Sequence, residues 1–273
     1  MHHTGGTNRR QYGLAGKPGN RYGSNSAPSG THHICTGCKA YGAHLGIYKT
    51  PALETDARHF PPNFYYTQED YLRKQAAGKA WSWTALRPDI VFGLAVGNPM
   101  NLASIIAVYA TLCKTLEVPF RFPGTPEAYH ALINVTDATL LAKAMEWAAT
   151  ATNTKNEVFN VTNGDVFRWS QVWPVFARFF DVACEDPQPF SLAAYMADKA
   201  PVWKAIIAKH DLQDIPFERL VQWHFGDAIF GVKHDAFFDV NKARRYGFAD
   251  MQGNSVALML TTFRQLQENR LIP

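Results

Sequence analysis

NFYYTQEDYLRKQAAGKAWSWTALRPDIVFG, residues 63–93, carries the reading of the fold. Its first half predicts a helix from about Thr67 to Lys79. Trp81 to Leu86 then alternates apolar and polar side chains, as a strand does, and the run closes on Arg87-Pro88. A tyrosine, Tyr65, enters the helix that feeds this strand, and no lysine follows it one turn on. Four residues after Tyr65 stands Glu69, and four after Tyr66 stands Asp70. No Tyr-x-x-x-Lys pair forms here, so any cation must come from another part of the chain.

Outward from this stretch the chain alternates between strand and helix signals. HICTGCKAYG (33–42) reads as a strand end leading into a proline-containing loop. Asn101 caps a helix with Leu102, Ile105, Ile106, Tyr109 and Leu112 on one face. VPFRF (118–122) reads as a strand, Asp137 to Ala149 as a helix, EVFNV (157–161) as a strand, and a helix follows Ser170 with Pro174 in its first turn. A C-terminal helix carries Val256, Met259, Leu260, Phe263 and Leu266 on one side. Such alternation predicts an α/β fold with a parallel sheet.

Composition narrows the function classes. With 273 residues and 47% apolar content the chain can bury a substantial core. Its longest apolar stretch, Leu102 to Leu112, falls short of the roughly 20 residues a bilayer span needs. The net charge of +4 is concentrated near the start: residues 1–34 hold Arg9, Arg10, Lys17 and Arg21 and no acid, leaving 23 bases against 23 acids in the remainder. That balance argues against nucleic acid as a partner. Four cysteines, Cys35, Cys38, Cys113 and Cys184, without a visible secretory signal predict reduced thiols and a cytoplasmic setting.

Residues 1–34 contain seven glycines and few aliphatic side chains, which predicts a disordered segment ahead of a folded unit from 35 to 273. Within them Gly13, Gly16 and Gly19 match a dinucleotide-loop spacing. The spacing has meaning only between an apolar strand and a helix, and NRRQY and NRYGSNSAPSG supply neither. His32, His33, Cys35 and Cys38 sit close enough to raise a zinc site, but no second pair of ligands stands at suitable spacing, so no metal is expected.

TGCKAYG (36–42), NFYYTQED (63–70), RPDIVFG (87–93), NPMNL (98–102), FPGT (122–125), EVFNVTNGDVFRW (157–169), WHFGD (223–227) and NKARRYGF (241–248) follow one another in a characteristic order. From about His33 to Pro273 the chain resembles the progesterone 5β-reductase and iridoid synthase-like branch of the short-chain dehydrogenases. The resemblance implies a partial Rossmann-like parallel sheet with a mostly helical C-terminal substrate lobe, NADPH as cofactor, and hydride transfer to the activated C=C bond of a small apolar carbonyl compound. It also implies that the lysine of the TGxK motif, Lys39, replaces the missing helical lysine, and that Tyr65 is the catalytic tyrosine. Cofactor contacts are implied at Tyr65, Lys39, Val91, Asn98, Pro99 and Met100. An Asn and a Pro stand here where the family carries Ser and Met, so backbone contacts are the ones expected to persist. Tyr48 and Phe225 correspond to aromatic positions lining the enone pocket.

Chemistry supports the assignment. Hydride delivery to the β-carbon of an enone leaves negative charge on the carbonyl oxygen, which a hydroxyl such as that of Tyr65 can stabilise. An ammonium at Lys39 would favour phenolate character and hold the nicotinamide ribose. YMADK (195–199) has the ordinary Tyr-x-x-x-Lys spacing, but its surroundings read as an amphipathic helical cover. The family's first βαβ units, with the Gly-rich turn, are not discernible before Lys39. A truncated chain is therefore expected, with an unpaired sheet edge that a partner chain, such as a second copy in a homodimer, would cover. The competing expectation is an inactive remnant or interaction module that keeps only the substrate lobe.

Overall fold

The computed structural model describes residues 30–273. The three glycines of the dinucleotide-like spacing lie outside the described residues. Strand β1 (Thr31–Cys35) leads through a short 3-10 turn, Cys38–Tyr41, and a loop to helix α1 (Phe64–Ala76). Strand β2 (Ser82–Pro88), the short β3 (Ile90–Phe92) and helix α2 (Leu102–Thr115) follow. Then come α3 (Pro126–His130), β4 (Leu132–Ile133), β5 (Val135–Asp137), α4 (Ala138–Thr150), β6 (Glu157–Val161) and β7 (Phe167–Arg168). Helices complete the chain: α5 (Trp169–Phe180), α6 (Leu192–Tyr195), α7 (Ala200–His210), α8 (Phe217–Leu220), α9 (Trp223–Phe230), α10 (Asn241–Arg245) and α11 (Ser255–Glu268).

The main sheet has the order β1-β2-β6 and is parallel throughout, with Thr31 opposite Ser82 and Thr84 opposite Glu157. Two short pairs extend the framework: β3 with β5, parallel, and β4 with β7, antiparallel. Helices cover both faces of the main sheet. Leu72 and Ala76 of α1 pack on Trp83, Ala85 and Val158, while Leu140, Ala144 and Ala148 of α4 pack on Leu86, Phe159 and Val161. This explains why every residue of β2 is buried. The polar positions of its alternating pattern face a helix, and Thr84 is satisfied there by donating to the Thr154 carbonyl at 2.9 Å. The other half of the molecule is helical, built around α2, which is buried from Leu102 to Cys113 and packs with α5, α9 and α11.

Three expectations need correction. Thr31 to Cys35 forms a strand, so the last residues of the segment expected to be disordered belong to the sheet. The backbone ladder to β2 supplies the pairing that its sparse aliphatic content does not. VPFRF forms no strand. Pro119 and Pro123 have no N–H for a ladder, and the burial of Phe120 and Phe122 comes from aromatic packing against Trp173, with Phe120 stacked on it at 4.4 Å. Pro174 lies inside α5, past its first turn, because the helix starts at Trp169 directly from β7. Among the described residues no helix is long and apolar enough to cross a membrane, and β1 has no strand on its outer edge.

Candidate active site

The C-terminal ends of β1 and β2 meet where the TGCK turn begins, which is where open parallel sheets place ligands. Thr36 continues the ladder by donating its N–H to the Leu86 carbonyl at 2.9 Å. At Gly37 a side chain would meet the Pro88 carbonyl oxygen at 3.2 Å and the Tyr65 hydroxyl at 3.7 Å. Glycine therefore lets the Tyr65 phenol lie over the turn. Asn63 fixes that arrangement from both sides: its side-chain oxygen accepts the Tyr65 N–H at 3.0 Å, capping α1, and its amide donates to the Lys39 carbonyl at 2.8 Å. One side chain thus ties the backbone of Lys39 to the backbone of Tyr65. Sequence reasoning passed over Asn63, although an Asn directly before an aromatic helix start is a cap signal.

Lys39 and Tyr65 line one open pocket of about 410 Å³, with His44, Pro62, Asn63 and Phe64. Tyr65 is half-buried and Lys39 exposed. Burial raises the Tyr65 phenol above its ordinary pKa, reinforced by the neighbouring Cys38 and Cys35 thiols. The Lys39 ammonium makes no hydrogen bond or ion pair among the described residues, so the two side chains share the pocket without a hydrogen bond between them. Tyr66 has a different duty. It is buried, donates its hydroxyl proton to the Ala40 carbonyl at 2.7 Å and accepts the His59 N–H at 2.8 Å.

Glu69 occupies the position at which a helical lysine would stand. It is 1% exposed and receives Arg87 of β2 at 2.8 Å, with Arg58 at 3.4 Å. The Arg87 guanidinium also lies over the Tyr41 ring, 5.1 Å from its centroid, and the Tyr41 hydroxyl donates to Asn160 on β6. A buried acid paired across to the sheet thus fills the space, and no cation from this helix turn can approach Tyr65.

Tyr48 lines a second, more enclosed cavity of about 70 Å³ behind Cys38, together with Asp89, Trp169, Ile229 and His234. Phe225 does not reach it. Phe225 is partly buried against the helical core, and Ile229, one turn further along α9, forms the wall instead. Asp89 directly follows Pro88, and burial pushes its carboxyl up to about 7. Val91 and Met100 are exposed, while Asn98 accepts the Met100 N–H at 3.3 Å and the Pro99 carbonyl accepts the Gln222 N–H at 2.8 Å. Val91 lies on β3, and Asn98, Pro99 and Met100 lie in the loop ahead of α2.

The rival pair is peripheral: Tyr195 ends α6 with 41% exposure, and Lys199 bonds to Asp198 at 2.5 Å. His32, His33, Cys35 and Cys38 do not gather into a metal cluster, because alternate residues of β1 point to opposite faces. The cysteines among the described residues are free thiols.

Comparison with known proteins bears on the family and the fold. Residues 25–257 match the PRISE-like Rossmann-fold domain. The chain is 34% identical over 256 residues to an (S)-8-oxocitronellyl enol synthase of Camptotheca acuminata, covering 89% of this chain and 65% of that enzyme. It is 32% identical over 260 residues to the enzyme of that name from Antirrhinum majus, covering 91% and 67%. An uncharacterized protein of Schizosaccharomyces pombe is 30% identical over 285 residues, covering 88% and 70%. The chain spans 65% of the length of the Camptotheca relative. Among solved structures, UDP-glucose 4-epimerase of Thermus thermophilus superposes with a TM-score of 0.53 at 16% identity, over 86% of this chain and 64% of that one. A GDP-L-fucose synthetase of Naegleria fowleri does so with 0.55 at 12% identity, over 88% and 65%. These likenesses show the Rossmann-like α/β fold.

Proposed function

Because this chain belongs to the PRISE-like Rossmann-fold family, we propose that it is a reductase of activated C=C bonds that uses NADPH, with Tyr65 as proton donor and Lys39 as the cofactor-side cation. The observation that carries the reading is the Tyr65 hydroxyl held over Gly37 at the carboxyl ends of β1 and β2, in the same pocket as Lys39. The curated relatives named for enol synthesis act at an oxocitronellyl skeleton by their names, and a small carbonyl compound is the substrate class that follows for this chain.

The nicotinamide end of the cofactor suits this pocket. The backbone at Gly37 comes close enough to Tyr65 that any side chain would narrow the space between them, and the exposed ammonium of Lys39 is free to reach a ribose hydroxyl. When bound, the nicotinamide supplies the hydride. The protein's own part is to place the substrate carbonyl against the Tyr65 hydroxyl, whose proton neutralises the charge that develops on the oxygen. A phenol kept above its ordinary pKa by burial remains protonated at neutral pH and arrives as a donor. Asn63 holds the turn and the helix in register so that donor and cation face one space. Val91, Asn98, Pro99 and Met100 would contact the cofactor, and Tyr48 the substrate.

A second reading, a non-catalytic module that keeps the substrate lobe, draws support from the free outer edge of β1 among the described residues. Fluorescence titration with NADPH separates the two. Saturation at micromolar cofactor is the result expected of the reductase, and no detectable binding at millimolar cofactor rejects it in favour of the module.

A further inference from the structure

The cavity behind Cys38 is not lined as a purely apolar slot. Tyr48 is 5% exposed, and its hydroxyl has no hydrogen-bond partner although it is fully buried. A buried hydroxyl left unpaired costs free energy comparable to a lost hydrogen bond, so an unsatisfied one at a cavity wall points to something that enters. Asp89 lines the same space. Its carboxyl is held from behind by the Ile90 backbone N–H and, at 3.1 Å, by the Asn134 amide in the orientation that satisfies that side chain. No cation stands within ion-pair distance of it among the described residues. A carboxylate can accept about four hydrogen bonds, so capacity remains toward the cavity. The ring of His234 closes the space edge-on to Tyr48 at 6.3 Å.

From this arrangement we infer that the cavity takes a hydroxyl group of the substrate, which accepts a hydrogen bond from Tyr48 and donates one to Asp89, so that the preferred substrates are hydroxylated enones. The inference rests on the reductase reading for the word enone; the hydroxyl site itself stands on Tyr48 and Asp89. A hydroxyl is singled out because it serves both walls at once. An ammonium would suit Asp89 but offers the Tyr48 proton no acceptor, and a purely hydrocarbon end would bury both groups unsatisfied. The volume of about 70 Å³ admits one end of a small molecule, and Cys38, which lines this cavity, directly precedes Lys39, which lines the pocket of Tyr65. Sites built to bond a substrate hydroxyl discriminate strongly against analogues that lack it.

The test is calorimetric titration of the full chain with cyclohexenone and with its γ-hydroxy derivative. The hydroxylated probe should bind about tenfold more tightly, the worth of roughly one hydrogen bond. The ratio of the two affinities should fall to near one in both Tyr48→Phe and Asp89→Asn and persist in Tyr65→Phe. Equal affinity for the two probes, a ratio that survives both substitutions, or no binding of either probe would overturn the inference. Its failure is separable from that of the reductase reading, which is judged by NADPH binding and by the effect of Tyr65→Phe on turnover.

Discussion

The hydroxyl of Tyr66 bonds two backbone groups, the Ala40 carbonyl and the His59 N–H, while that of its neighbour Tyr65 bonds nothing among the described residues. Tyr66→Phe should therefore cost about 1–3 kcal/mol in urea unfolding, because both backbone groups lose their partner. Tyr65→Phe should change stability by less than about 0.5 kcal/mol. Equal losses would contradict the division of labour. Asp89 yields a pH signature. Burial pushes its carboxyl from an ordinary 3.8 up to about 7, so between these values the folded chain keeps a proton that the unfolded chain has released. Stability from this group falls as pH rises through that window, and the loss is complete above it. Cys38 and Tyr48, which face the same cavity, have their pKa values raised by burial and stay uncharged through this window. Asp89→Asn should raise the melting temperature more at about pH 8 than at about pH 4, and a larger gain at the acid end would contradict the assignment. That Tyr65 and Lys39 belong to the motif segments was legible in the sequence. Asn63, which joins them, and Asp89, which needs three dimensions to be seen facing Tyr48, were not.

Helix α1 is held to the sheet by Glu69, whose pairing with Arg87 is almost wholly removed from solvent. Breaking one side of a buried pair leaves an uncompensated charge and costs about 3–5 kcal/mol, so Glu69→Gln should lower stability by an amount in or just under that range. Glu69→Lys, which restores the helical Tyr-x-x-x-Lys spacing, would set a third cation beside Arg87 and Arg58 and should prevent folding, as read by far-UV circular dichroism. A well-folded, stable Glu69→Lys protein would show that the pairing does not position the helix. The sequence pattern identified α1, β2 and β6 because hydrophobic periodicity and flanking turns agreed there. It misread VPFRF because alternating burial also arises where aromatic side chains plug into a helical core. It caught only the end of β1, from His33, because a strand paired along one edge need not be rich in aliphatic residues.

At the scale of the whole molecule, the parallel order β1-β2-β6 with helices on both faces gives the Rossmann-like layer arrangement, and the alternation of strand and helix signals announced it. Tertiary placement of the helical lobe was not legible, since which face of α9 meets the cavity depends on packing against α2 and α6, and Ile229 took the place expected for Phe225. The central claim is that Tyr65 and Lys39 serve one reduction at the mouth of this sheet. The most direct measurement is NADPH consumption by the chain with an enone substrate, compared with Tyr65→Phe, Lys39→Ala and Tyr195→Phe. The account predicts turnover that falls by about a hundredfold or more in Tyr65→Phe, the scale of a lost proton donor, falls also in Lys39→Ala, and is unchanged in Tyr195→Phe. Full turnover by Tyr65→Phe, or none by the unsubstituted chain, would contradict it.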